Sequence, residues 1–133
     1  MTSEVADSSV IIPAIASWHE VHVHARQRVG KINIAIGHSL SETYSTLTRM
    51  PIRVRHLPEL VIAYFERQFV HEIPLPPYLE SIKELQRCGV AGGATYDGLI
   101  ALTARNAGMK LLSLDRRAIP TYEAVGVEYE ILN

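Results

Sequence analysis

Thr95-Tyr96-Asp97-Gly98-Leu99-Ile100-Ala101-Leu102-Thr103-Ala104-Arg105-Asn106-Ala107-Gly108-Met109-Lys110-Leu111-Leu112-Ser113-Leu114-Asp115 begins as a strongly apolar helix and ends as a compact apolar strand. Leu99, Ile100 and Leu102 carry the helix, which closes near Gly108, and Lys110 to Leu114 extend to Asp115. The same alternation continues outward in both directions. Downstream, a short helix around Tyr122 to Ala124 stops by Gly126, and Val127 to Leu132 form a final strand. Upstream, Glu4-Val5-Ala6 is an extended start that ends at Asp7-Ser8-Ser9 and feeds a buried helix over Val10 to Ala16, where Pro13 fits only near a helix start. Trp18 to Val29 mix polar and apolar residues at helical spacing up to Gly30, and Ile32, Ile34 and Ile36 alternate with Asn33 and Ala35 as a second strand. Ser39-x-x-Glu42 opens the next helix as a capping box, and Pro51 closes it. Pro58 starts another helix with Leu60, Val61, Tyr64 and Phe65 on one face, and Val70 to Leu75 is extended. Tyr78, Leu79, Ile82 and Leu85 then line one face of a helix that stops at Gly89. Strands alternating with helices predict an α/β fold, a single domain over residues 1–133. Its expected centre is a mostly parallel sheet of about 4–5 strands flanked by helices on both faces.

The 133 residues are 47% hydrophobic and 20% charged, enough for one core and too few for two comfortable domains. No apolar run reaches the roughly 18 residues of a membrane span. Even Leu57 to Phe65 is interrupted by Pro58 and Glu59 and bounded by Glu66. No membrane association is expected. Met1 to Asp7 carry two acids and no base, unlike the positive start of a secretory signal, so the cytoplasm is the expected compartment. Cys88 is the only cysteine, which excludes an internal disulfide framework and a zinc site built on several thiolates. A net charge of −1 gives no global attraction to polyanions; a nucleic acid would have to be held by local basic patches or by a metal.

The acids are distributed unevenly. The three aspartates, Asp7, Asp97 and Asp115, each lie where an apolar element gives way to a turn or opens a helix, and Glu42 occupies an equivalent place. Most of the eleven glutamates lie elsewhere. Helix capping accounts for any one of these positions, because Asp is a preferred N-cap and acids at a helix start interact favourably with its dipole. The alternative is convergence, since strand ends in a parallel sheet form one crevice. Four carboxylates gathered there would repel one another unless a cation neutralised them. Oxygen-only ligands favour Mg²⁺, with Mn²⁺ as the other candidate. Such a cation, with coordination sites left open, polarises a phosphodiester and lowers the pKa of a bound water. Ser9 and Ser113 stand two residues from Asp7 and Asp115, so strand alternation can turn their hydroxyls to the same face; both also suit ordinary turn or capping roles.

Asp7-Ser8-Ser9-Val10-Ile11-Ile12 resembles the opening Asp-x-Ser motif of PIN-domain ribonucleases, and Ser41-Glu42 resembles their glutamate early in a helix. Tyr96 to Ala104 resembles their Asp-x-x-Ile-Ala helix, and Leu111 to Arg117 their strand ending in (Thr/Ser)-x-Asp. The likeness spans nearly the whole chain in the same order and is greatest to the VapC-type toxins of bacterial toxin–antitoxin pairs. It implies an Mg²⁺- or Mn²⁺-dependent endoribonuclease that hydrolyses RNA phosphodiester bonds. Asp7, Glu42, Asp97 and Asp115 would serve as metal-holding catalytic residues, with Ser9 and Ser113 at the cofactor and Ser113 supporting its water shell. It also implies a homodimer and inhibition by a small cognate VapB-type antitoxin. Two departures stand out: Ser3 and Glu4 make the first strand unusually polar, and Gly98 replaces the commoner alanine after the third acid.

Other features weigh less. His19, His22 and His24 cluster locally, with His19 and His22 spaced to share a helix face, and a solvated surface explains them as well as a metal site does. Arg49, Arg53, Arg55, Arg116 and Arg117 lie near the acids in sequence, where they can meet RNA phosphates or simply face solvent. A haloacid-dehalogenase-like phosphatase needs a second aspartate where this chain has Ser9, and a receiver domain needs paired acids after the first strand. The non-catalytic alternative is a PIN-like module that binds RNA or protein.

Overall fold

The computed structural model describes residues 3–133. Its strands are β1 (Glu4–Ala6), β2 (Ile34–Ile36), β3 (His71–Ile73), β4 (Lys110–Ser113) and β5 (Tyr129–Ile131). Between them run α1 (Ser8–Ile15), α2 (His22–Val29), α3 (Gly37–Thr48), α4 (Pro58–Gln68), α5 (Tyr78–Arg87), α6 (Thr95–Asn106) and α7 (Ile119–Val125). Every strand pairing is parallel: β1 with β4, β4 with β5, and β2 with β3. The predicted α/β class therefore holds, with the expected sheet divided into a three-stranded part, β1-β4-β5, and a two-stranded part, β2-β3. A cavity of about 630 Å³ lined by Ser3, Glu4, Asn33, Ile34, Met109 and Lys110 opens where the N-terminal ends of β1 and β2 part. Among the described residues, no helix is long and apolar enough to cross a membrane.

The side-chain alternation of β1 and β4 divides the core into two layers. Val5 and Leu111 join Leu85, Ile100, Leu102 and Tyr122 beneath α5, α6 and α7. Ala6 and Leu112 point the other way and pack with Val10, Ile11, Ala14, Ala25 and Val29 beneath α1 and α2. Ile11, Leu111 and Leu112 are fully buried, and each such burial contributes about 1.5–3 kcal/mol. At the opposite pole from the strand ends, Glu4 explains the polar first strand. It meets Arg28 Nη2 at 3.3 Å and Lys110 Nζ at 3.0 Å, while Glu130 meets Arg28 Nη1 at 2.9 Å and Lys110 at 3.0 Å. Arg28 first and Lys110 second hold the Glu130 carboxyl down to about 2.

Three local expectations are corrected. Helix α2 begins at His22 rather than Trp18: Ala16 takes an extended conformation, and the Val21 N–H donates to His19 Nδ1. Pro13 is the sixth residue of α1, not near its start, and can donate nothing to the Ser9 carbonyl one turn earlier; its own carbonyl bonds His22 Nδ1 at 2.7 Å. Helix α3 springs directly from β2 at Gly37, so Ser39 is inside its first turn and no capping box forms. An added Cβ at Gly37 would lie 2.8 Å from Glu72 Oε1, so glycine lets a carboxylate from β3 pack against the start of α3.

Candidate active site

The four acids all come from the end of the sheet where strands run out. Asp7 follows β1 and caps α1, its Oδ1 accepting from the Ser9 N–H at 3.0 Å. Asp115 follows β4 and caps a single 3-10 turn, accepting from the Arg117 N–H at 3.0 Å. Glu42 rides on α3 behind β2, and Asp97 lies in the first turn of α6. Capping and convergence are therefore not rivals for Asp7 and Asp115: each caps the turn that follows its strand, at the end of a parallel sheet where strand ends form one crevice.

Asp7 is nearly inaccessible, and its oxygens are held from three sides. Besides the Ser9 N–H, the Ser9 hydroxyl makes a short hydrogen bond to Oδ1, and the Tyr122 hydroxyl donates to Oδ2 at 2.6 Å. Burial pushes the Asp7 carboxyl above its ordinary value, while the Ser113, Ser9 and Tyr122 hydroxyls oppose that rise. Burial, together with the neighbouring Asp7 charge, keeps the Tyr122 phenol protonated and so a donor. Tyr122 is the site residue that sequence reasoning missed; its residue type and place in a short helix carry no sign of the partner 115 positions away.

The hydroxyls of Ser9 and Ser113 do meet, 3.3 Å apart, but strand alternation is not the reason for both: Ser113 ends β4, whereas Ser9 is the second residue of α1, turned back by the Asp7 cap. Ser9 Oγ accepts from the Leu114 N–H at 2.8 Å and Ser113 Oγ from the Asp115 N–H at 3.0 Å. They bind the turn after β4 to the turn after β1, and so hold Asp115 beside Asp7.

Glu42 accepts from the Ser8 hydroxyl at 3.2 Å and lies 3.9 Å from His38 Nε2. Asp97 feels the whole group. Burial first, then the charges of Asp115, Glu42 and Asp7 in that order, push its carboxyl up to about 6, with His38 partly offsetting them. Three carboxylates reached from three separate elements thus act on the fourth. Among the described residues, no three His, Cys, Asp or Glu side chains close on one point tightly enough to hold a metal ion by themselves. The donor set is nevertheless the hard-oxygen, mutually repelling kind that a divalent cation relieves, and Mg²⁺ keeps several waters while taking one or two carboxylates.

Beside Glu42, a shallow groove of about 290 Å³ is lined by Ser8, Ser41, Ser45, Thr46 and Arg49. Arg49 Nη1 donates to Ser45 Oγ at 2.9 Å there. Arg117 is exposed at the rim, 4.0 Å from Asp115. The histidine cluster takes no part in this site: His22 bonds the Pro13 carbonyl and His24 bonds the Asn133 carbonyl at 2.7 Å. His19 precedes α2, so His19 and His22 do not share a helix face.

No family profile matches the chain. Ribonuclease VapC40 of Mycobacterium tuberculosis is 39% identical over 129 residues, which cover 95% of this chain and 96% of that protein. Ribonuclease VapC27 of the same organism is 35% identical over 126 residues, covering 91% of this chain and 90% of that one. The chain belongs to the VapC ribonuclease family. Solved VapC-type structures share its fold: Mycobacterium tuberculosis VapC20, a Sarcin-Ricin loop cleaving toxin, superimposes with a TM-score of 0.69 at 19% identity, over 94% of this chain and 96% of that one. VapBC2 from Rickettsia felis, bound to a DNA fragment from their promoter, does so with a TM-score of 0.66 at 15% identity, over 98% of each chain. At these identities the VapC likeness in three dimensions speaks for the fold alone.

Proposed function

We propose that this VapC-family chain is an Mg²⁺- or Mn²⁺-dependent endoribonuclease that hydrolyses RNA phosphodiester bonds as the toxin of a type II toxin–antitoxin pair. The carrying observation is Asp97, whose proton is held up to about 6 in part by the charges of Asp115, Glu42 and Asp7. Like-charged carboxylates gathered from separate elements are the arrangement that a divalent cation would neutralise. Asp7, Glu42, Asp97 and Asp115 would hold the cation, which when bound supplies charge neutralisation at a phosphate and a more acidic water. The protein's own part is positioning. Tyr122 and Ser9 fix the Asp7 carboxylate, Ser113 orients the turn that carries Asp115, and Arg49 and Arg117 stand where phosphates of a bound strand can reach them.

The exposed apolar side chains on α4 and α5, among them Leu60, Tyr78, Leu79 and Ile82, support an assembled state. A homodimer and a small VapB-type antitoxin are the partners proposed, the latter supported by solved relatives that are VapBC assemblies. RNA cleavage by the purified chain with and without Mg²⁺ tests the activity, with Asp7→Asn as control. Cleavage is expected to need the cation and to fall at least about 100-fold in the variant. Full activity in EDTA, or in folded Asp7→Asn, would defeat the assignment. Binding of RNA without cleavage under every condition would favour the non-catalytic module instead.

A further inference from the structure

Tyr96 is used by nothing described so far, yet with His38 it stands beside the acid cluster. His38 is in the first turn of α3, 3.9 Å from Glu42, and its charge bears on Asp97. Tyr96 immediately precedes Asp97 in the first turn of α6. Their rings are parallel, 2° apart in plane with centroids 5.6 Å apart. Tyr96 nevertheless remains 58% exposed, so much of the residue is open to solvent although its ring is stacked on His38. An exposed aromatic ring contributes little to the core, and here a second ring fixes its plane.

The same edge of α3 gives the platform a direction. His38, Glu42, Ser45 and Arg49 follow one another at intervals of four, three and four residues, which places them on one face of the helix. At about 1.5 Å per residue that stripe is roughly 16 Å long. Its far end carries the Arg49 guanidinium over the serine-lined groove, its middle carries Glu42, and its near end is the stacked pair. A cationic end suits a phosphate. A flat aromatic end beside four carboxylates suits the one part of a nucleotide that carries no charge.

We propose that the His38–Tyr96 pair is a stacking platform for one unpaired base of the RNA substrate, with Tyr96 as the surface the base lies on and His38 as the positioning residue beneath it. This rests on the ribonuclease reading above. Stacking on a ring needs a base free of its helix, so the platform selects single-stranded or looped RNA over duplex and tolerates any base identity.

The test uses the full chain and a short single-stranded RNA carrying 2-aminopurine, titrated in EDTA so that fluorescence reports stacking without cleavage. Base–aromatic stacking of about 1–3 kcal/mol per base corresponds to a roughly 5- to 150-fold weaker Kd for Tyr96→Leu, with the quenching lost. Tyr96→Phe should bind within about twofold of the parent, because the π-face is what matters. In Mg²⁺, Tyr96→Leu should raise KM far more than it lowers kcat, at an unchanged melting temperature. His38→Ala should give a smaller rise in Kd of the same kind. A second measurement needs no variant. When an abasic residue is walked along the oligonucleotide, one position should weaken binding to the parent chain as much as Tyr96→Leu does, and should add nothing in that variant. Parent-like binding and KM in Tyr96→Leu, or no sensitive position in the abasic walk, overturns the platform and leaves the nuclease standing if the parent still cleaves RNA. A parent that neither binds nor cleaves RNA overturns both.

Discussion

A carboxyl group that keeps its proton up to about pH 6 gives the folded chain a proton affinity that the unfolded chain lacks, and Asp97 is such a group. Its unfolded value is near 3.8. Below that, both states are protonated and folding gains nothing. Between there and about 6 the folded state retains a proton that the unfolded state has released, so stability falls as pH rises, and above about 6 the penalty is complete. Asp97→Asn removes it. Because Asp97 is only half-buried, the gain at neutral pH in EDTA is put at about 1 kcal/mol after solvent screening. Urea melts of both proteins should show that gain near pH 7 and none near pH 4, and added Mg²⁺ should raise the parent's stability more than the variant's. Equal stability at both pH values would mean that the acids do not repel as described. Tyr122 shows the opposite economy: its buried hydroxyl stabilises a charge that burial disfavours. Tyr122→Phe should cost about 2 kcal/mol, the range for a hydrogen bond to a charged group. In a double-mutant cycle with Asp7→Asn, the two losses should sum to more than the double variant shows.

At the scale of elements, Gly98 is the informative departure. Helix propensity favours alanine over glycine by up to about 1 kcal/mol, yet a Cβ at position 98 would lie 2.9 Å from Leu85 Cδ2 and 3.0 Å from Val90 Cγ1. Leu85 is buried in the same core layer and has little room to turn aside, so overpacking of about 1–3 kcal/mol outweighs the propensity gain. Gly98→Ala should therefore lower stability by about 1 kcal/mol net, read as an earlier urea midpoint. Leu85→Ala in the same background should remove part of the clash; a Gly98→Ala protein more stable than the parent would show that α5 and α6 are not packed this closely. Element ends marked by their own residues were legible in the chain: Pro58 begins α4, and Gly126, at φ +82°, ends α7 in the left-handed conformation glycine favours. Ends set by distant groups were not. Glu72 of β3 packs against the start of α3 where a Cβ at Gly37 would stand, and nothing near Ser39 records that.

On the scale of the molecule, the order of the acids was readable because each one terminates or opens an apolar run, and a parallel sheet sends all such ends the same way. What remained hidden was how the strands divide: β1 and β2 are three residues each, and a residue pattern does not tell whether such short neighbours share a ladder. The layout puts an acidic crevice at one pole and the Glu4–Arg28–Lys110–Glu130 network at the other, in a chain of net charge −1. The overall field thus offers a polyanion no attraction, and affinity for RNA must come from a cation in the crevice and from single basic side chains at its rim. Arg49 is the clearest of these, held over the groove by Ser45. If it meets one phosphate, Arg49→Ala should flatten the plot of log affinity against log salt by about 0.7, the increment for one contact on a single strand. The same variant should weaken all sequences alike. Anisotropy titrations of a single-stranded RNA at several salt concentrations, in EDTA and again in Mg²⁺ with the Asp7→Asn chain to prevent cleavage, measure both terms. Mg²⁺ should tighten binding at constant ionic strength while leaving the Arg49 increment in place. A slope that Arg49→Ala does not change would remove this groove from the path of the strand and leave the crevice to hold RNA through its cation and the remaining rim residues.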